Sequence, residues 1–251
     1  MERIAIIDLG SNSVRFVIMH IESDGAYKLV YQEKKGIRLS EGMTENHMSL
    51  TEAAQERALS CMRVYAHMAS VHHITHMIAV ATAAVRNAVN GNNFLSRVQQ
   101  ETGIPLKVIT GKQEAELGYR GVVNTINETD FIMFDLGGAS IEISLIKNRQ
   151  RIESVSLPLG AVTVTEKFHS QETVSSDVKK SMRDYIKQYL RPLEWLKNQS
   201  LPIIGVGGTM RNLAKIHQKK FHYAIPKLHN YEISCTDLFD LCALICDNNY
   251  E

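Results

Sequence analysis

Two short segments carry the same chemistry. Asp8-Leu9-Gly10-Ser11-Asn12-Ser13 and Asp135-Leu136-Gly137-Gly138-Ala139-Ser140 each end an apolar run on an aspartate and follow it with small residues. Backbone N–H groups in such a turn approach a phosphate closely, and the side chains of Ser11, Asn12, Ser13 and Ser140 add donors. A carboxylate beside that turn repels phosphate unless a cation lies between them. Asp8 and Asp135 therefore point to Mg²⁺ or another hard divalent ion with oxygen ligands. One such segment reads equally as a plain β-turn. Two of them can grip one phosphate chain from two sides. The residues after the turns diverge, with Arg15 after the first and Glu142 after the second. Glu142 points away from the face of Ile141, Ile143 and Leu145. There it either joins Asp135 on the metal or is a solvent-facing acid.

Hydrolysis also needs a base to orient and deprotonate water. Glu114 and Glu116 open a predicted helix after Gly111, and being two apart they face different sides, so only one can serve. Spacing does not choose between them, and both also suit the positive end of a helix. Arg86 and Arg211 each lie just past a small-residue turn. Arg86 can hold a phosphate bidentately, and a surface salt bridge is the plainer alternative. Lys34, Lys35 and Arg38 form a basic cluster suited to steering a polyanion. His72, His73 and His76 straddle a helix-to-strand connection with no acid or cysteine nearby, and they read as a solvated loop rather than a zinc site. Cys242 and Cys246 read as small buried apolar residues, and Trp195 as a packing residue on its helix.

The elements that must position these groups follow from periodicity. Ile4 to Ile21 reads as two strands around a turn, and Lys28 to Glu33 as a third. Helices are expected over Leu50–Ala69, Ala83–Val89, Asn93–Thr102 and Gln113–Asn124, with strands at Met77–Ala81 and Leu106–Ile109. The plan then restarts. Phe131 to Asp135 is a strand, 137–140 a turn, and Ile141, Ile143 and Leu145 alternate. A strand at Arg151–Leu157 and a helix at Ser175–Leu196 follow. IAVATAAVRNA from Ile78 matches IIGVGGTMRNL from Ile203, and a helix is expected at Thr236–Cys246. Two matches at nearly one offset predict two α/β domains on one plan, residues 1–125 and 126–251, divided in the polar stretch NTINETD.

Bulk properties narrow the classes. Over 251 residues the net charge is only +1, with 44% hydrophobic and 22% charged residues. That is a globular composition without the basic excess of a protein that coats nucleic acid. The start MERIAIIDLG is no signal peptide, and no apolar run reaches the length of a membrane span. A cytoplasmic protein with reduced thiols and no membrane partner is expected.

DLGSNS, TAAVRNA, GKQEAELGYRGV, FDLGGASIE, LPLGAVTVTE and GVGGT come in this order along the chain. As a set they resemble the exopolyphosphatase / guanosine pentaphosphate phosphohydrolase family of the actin-like superfamily. The resemblance implies two RNase H-like domains with an active-site cleft between them. It implies hydrolysis of a terminal phosphoanhydride of polyphosphate or guanosine pentaphosphate with a divalent cation. By position it makes Glu114 the catalytic glutamate and Asp135 and Glu142 metal ligands. It places Asp8, Ser11, Asn12, Ser13, Arg86, Gly137, Gly138 and Ser140 at phosphate or metal, with Ala139 inside the second loop. The family's second loop reads Asp-Ile-Gly-Gly-Gly-Ser-Thr-Glu, so Ala139 and Ile141 depart from it. A methyl at 139 requires φ below zero, and Ile141 lacks a hydroxyl that can reach phosphate or a metal-bound water. The family pattern continues with a further strand and helix. Without them the second sheet has an open edge, and a homodimer is expected. An ATP-dependent enzyme of the same fold and a non-catalytic sensor of guanosine polyphosphates are the rival readings.

Overall fold

A computed structural model describes residues 2–168 and 174–247. The chain folds as two compact units, Met1–Glu114 and Ala115–Glu251.

The first unit carries β1 (Glu2–Leu9), β2 (Ser13–Ile21), β3 (Tyr27–Gly36), α1 (Glu52–Val71), β4 (His76–Ala81), α2 (Ala83–Asn87), α3 (Gly91–Thr102) and β5 (Lys107–Val108). Its five-stranded sheet runs β3-β2-β1-β4-β5. β1 pairs antiparallel with β2 and parallel with β4, and β4 pairs parallel with β5. Alternation in β1 and β2 buries Ala5, Ile7, Leu9, Val14, Phe16 and Ile18 in one core with Leu59, Met62 and Tyr65 of α1. Phe16 stacks on Tyr65 with ring centroids 4.4 Å apart. Thr51 caps α1 by accepting from Ala54 N at 3.2 Å, as its position before the apolar repeat predicts.

α4 (Gly111–Val123) spans the division. The second unit then carries β6 (Phe131–Leu136), β7 (Ile141–Lys147), β8 (Gln150–Leu157), α5 (Ala161–Lys167), α6 (Ser176–Leu190), a 3₁₀ turn (Glu194–Leu196), β9 (Ile203–Val206), α7 (Gly208–Lys220) and α8 (Cys235–Asp247). Its four-stranded sheet runs β8-β7-β6-β9. It repeats the strand directions of the first sheet, with β6 antiparallel to β7 and parallel to β9. Ile132, Ile143 and Leu145 pack with Val164 of α5 and Met182 and Ile186 of α6. Phe131, Met133 and Ile146 pack on the other face with Tyr119 and Val122 of α4.

Several expectations need correction. α6 stops at Leu190 instead of continuing to 196, and Trp195 lies on the 3₁₀ turn. Pro192 explains the break, because it lacks an N–H and its ring clashes with the preceding turn. β5 has two residues rather than four, and α4 opens at Gly111 rather than at Gln113. α5 was not expected, because its run AVTVTEK is rich in residues that favour strands. Cys242 and Cys246 are exposed, not buried. The inward stripe of α8 runs through Leu238, Leu241 and Ile245, and the two thiols sit beside it. His72 caps α1, His73 is exposed in the connection and His76 is the exposed first residue of β4.

Candidate active site

In the first unit the chemistry gathers where the parallel strands end. Leu9 is paired with Ala81, and Ala81 with Val108. Thr82 N donates to Leu9 O at 3.1 Å, and Ile109 N donates to Ala81 O at 3.0 Å. The turn after β1, the start of α2 and the start of α4 therefore share one edge of the sheet. Carboxyl ends of parallel strands are where α/β sheets bind ligands.

That edge joins two of the candidates directly. Arg86 Nη1 donates to Glu114 Oε2 at 3.0 Å and to Ile109 O at 2.9 Å. The two side chains are only 21% and 22% exposed, so this is no ordinary surface pair. Glu116 is employed elsewhere. It accepts from Arg120 Nε at 2.7 Å and Arg151 Nη2 at 2.8 Å. Hydrogen bonds from Arg120 and then Arg151 hold its carboxyl below the usual glutamate range. Pinned between two guanidinium groups, it makes a poor base.

The first loop turns on Gly10 N donating to Ser13 O at 3.0 Å, and the second on Gly137 N donating to Ser140 O at 2.9 Å. The Ser11 carbonyl accepts from Ser40 N, and the Asn12 carbonyl from Ile37 N and Arg38 N. In the second loop the Gly137 carbonyl accepts from Ala161 N, and the Gly138 carbonyl from Val162 N and Thr163 N. A peptide group is planar and trans, so its N–H points opposite to its C=O. The N–H groups of Asn12 and Ser13 thus point away from the 37–40 segment, and those of Gly138 and Ala139 away from α5. Each loop presents two successive amides, the arrangement that binds anions. Asn12 is exposed and Ser13 half-buried, whereas Ser11 and Ser140 are buried.

Gly160 is what lets α5 approach the second loop. A Cβ there would lie 2.1 Å from Gly138 O and 2.2 Å from Ala139 N. The two departures from the family pattern are accommodated. Ala139 is buried and is not among the residues with positive φ. Ile141 packs into the apolar layer under α6, on the face opposite Glu142.

Across each sheet the aspartate heads a row of side chains on one face. In the first unit Asp8 pairs with Arg15, and Arg15 with Lys34. Burial pushes the Asp8 carboxyl above its ordinary value, and the charges of Arg15 and Lys34 pull the other way. In the second unit Asp135 pairs with Glu142, and Glu142 with Ser156. Glu142 is 2% exposed, which excludes the solvent-facing alternative. Ser156 Oγ donates to its Oε1 at 2.6 Å. Gly207, with φ +99°, closes over Asp135, and a Cβ there would lie 2.7 Å from Oδ1. The equivalent rows are therefore cationic in the first unit and anionic in the second. Arg211 matches Arg86 by place, four residues past the turn residue that starts each helix, and is exposed. Ser156 has no individual signal in the sequence, and although Gly160 and Gly207 fall in motifs, what each makes room for appears only in the folded register.

Among the described residues no three His, Cys, Asp or Glu side chains gather as a metal cage. The Asp135–Glu142 pair offers hard oxygen donors, which suits an ion that binds through one or two carboxylates and keeps several waters. Among the described residues no helix is long and apolar enough to cross a membrane.

The sequence profile of the Ppx/GppA phosphatase family matches residues 17–249. The chain belongs to that family. That is an exopolyphosphatase-type phosphohydrolase family, and the chain has its two-domain actin-like fold. It is 30% identical over 258 residues to exopolyphosphatase 2 of Mycobacterium tuberculosis, covering 96% of this chain and 79% of that protein. It is 31% identical over 257 residues to the bifunctional 3-dehydroquinate synthase/phosphatase of Fusobacterium nucleatum. That match covers 97% of this chain but 38% of that longer protein. Among solved structures, an exopolyphosphatase from Cytophaga hutchinsonii superposes with a TM-score of 0.88 at 28% identity, covering 99% of this chain and 81% of its own. The Aquifex aeolicus family member gives a TM-score of 0.68 at 30% identity, covering 88% and 71%.

Proposed function

We propose that this family member releases terminal orthophosphate from inorganic polyphosphate, with guanosine pentaphosphate as the second substrate to test. Relatives named as exopolyphosphatases support the first substrate. The observation that carries the reading is the Arg86–Glu114 pair at the carboxyl ends of β1, β4 and β5. It joins a phosphate-binding cation to a water-orienting carboxylate.

In this reading Glu114 orients a water and accepts its proton as the water oxygen attacks the terminal phosphorus. The bridging P–O bond breaks, and the shortened chain leaves with the bonding electrons. Arg86 holds Glu114 in place and contacts the terminal phosphoryl oxygens. On the first unit the amides of Asn12 and Ser13 and the side chains of Ser11, Asn12 and Ser13 are further candidate phosphate donors, as are the amides of Gly138 and Ala139 and the side chain of Ser140 on the second. In this reading Asp135 and Glu142 would hold Mg²⁺, and Asp8 is a candidate oxygen ligand on the first unit. When bound, the cation offsets negative charge on the phosphoryl oxygens. Phosphoryl transfer asks mostly for positioning and charge stabilisation, so a strong base is not required. Ala139 has a permitted backbone and Ile141 packs in the apolar layer, so neither departure from the family loop weighs against phosphate release.

Glu114→Ala tests the reading. Phosphate release should fall about 10²–10⁴-fold while polyphosphate still binds. Turnover at the wild-type rate would remove Glu114 from the mechanism.

A further inference from the structure

We propose that Ser156 is a positioning residue for the metal site, holding the Glu142 carboxylate correctly turned toward the cation. The inference rests on the reading of Asp135 and Glu142 as metal ligands and goes one residue beyond it.

Glu142 is almost wholly buried on β7. A carboxylate taken out of water loses its hydration and stays charged only if other groups replace that hydration. Ser156 supplies one replacement. Its Oγ lies 2.6 Å from Glu142 Oε1, within the range of a hydroxyl donating to a charged carboxylate. The contact is fixed by the fold, because Glu142 and Ser156 are direct partners across β7 and β8. Directly opposed residues project to the same face. A donor locked in that register sets the plane of the carboxylate, which raises its worth as a ligand for a hard cation. Partners that orient metal ligands in this way are worth about 10–100-fold in metal affinity.

The first unit strengthens the argument by contrast. The position in its row equivalent to Ser156 is Lys34, beside Arg15 and Asp8. A lysine suits a row that meets anions, and a neutral hydroxyl suits a row that must keep its charge for a cation. The third residue of each row thus follows the chemistry of the first two.

The experiment titrates Mn²⁺, a paramagnetic stand-in for Mg²⁺, into wild-type, Ser156→Ala, Ser156→Thr and Glu142→Gln proteins. Free Mn²⁺ is read by electron paramagnetic resonance, and each protein's melting temperature is measured in chelator. The expected result is Mn²⁺ binding by the wild type, loss in Glu142→Gln, about 10–100-fold weaker binding in Ser156→Ala, and recovery in Ser156→Thr. Recovery by threonine keeps the test valid if the alanine variant folds poorly. Wild-type affinity in Ser156→Ala, with loss in Glu142→Gln, would overturn the role of Ser156 and leave the metal site standing. A lower melting temperature with unchanged Mn²⁺ affinity would make Ser156 merely structural and would also overturn it. Absence of Mn²⁺ binding by the wild type would overturn both readings.

Discussion

Arg86 and Glu114 are each other's partner before any substrate arrives, and this shapes what their loss should do. Arg86→Lys keeps the charge but loses the planar fork that reaches Glu114 and a phosphoryl oxygen together. It should lower kcat and raise KM, by about 10–100-fold in kcat/KM, as steady-state phosphate release would show. A change in KM alone would mean that Arg86 only binds substrate. Asp8 gives a second outcome at this scale. Burial raises its pKa above that of the unfolded chain, so the folded state holds its proton more tightly. Stability is then lost as pH rises from the ordinary aspartate range through the raised value. Asp8→Asn removes that loss. In chelator its melting temperature should exceed the wild type's at neutral pH, and the two curves should converge in acid. A less stable Asp8→Asn at neutral pH would contradict the burial argument. Residue types alone marked Asp8, Asp135 and Arg86 as candidates for phosphate chemistry, and resemblance to the family marked Glu114. They could not show that Arg86 touches Glu114, because that contact joins residues 28 apart in the chain.

Elements set how closely these residues can approach. α5 reaches the Gly137–Ser140 loop only because position 160 lacks a side chain, since a Cβ there would overlap the loop backbone. Gly160→Ala should destabilise the second unit by ~1–3 kcal/mol, as overpacking does, and lower activity with it. Chemical denaturation and phosphate release measure the two effects, and a variant equal to wild type in both would show that α5 can retreat freely. The strands and their alternation were legible in the sequence, because apolar period and turn residues mark them locally. Glu142 was correctly set on the face opposite Ile141. Its burial was not legible, because a strand's own sequence does not show what covers it. Ser156 was invisible for a related reason: its bond to Glu142 spans 14 residues and depends on a register that shifts between Leu145 and Ile146. The end of α6 was misplaced although Pro192 marks it, because apolar spacing through Trp195 and Leu196 outweighed a residue that stops helices.

For the whole molecule the informative feature is one plan used twice with opposite charge. Both sheets set two antiparallel strands beside a parallel one, and both loops close on the same glycine-to-serine hydrogen bond. The residue opposite the aspartate is Arg15 in one unit and Glu142 in the other. A duplicated scaffold can thus meet an anion with one copy and a cation with the other. Basic residues on the first unit, including Lys34 and Lys35, should draw in a polyanion over long range. Added salt should raise KM for polyphosphate while leaving kcat nearly constant, because screening acts on encounter more than on the bound state. A KM independent of ionic strength would mean that these charges have no part in capture. The most direct measurement of the central claim is orthophosphate release from long-chain polyphosphate, with no acceptor added, in Mg²⁺ and again in chelator. The account predicts steady release of single orthophosphates in Mg²⁺ and none in chelator. Intact polyphosphate in Mg²⁺, or equal release in both, would contradict it.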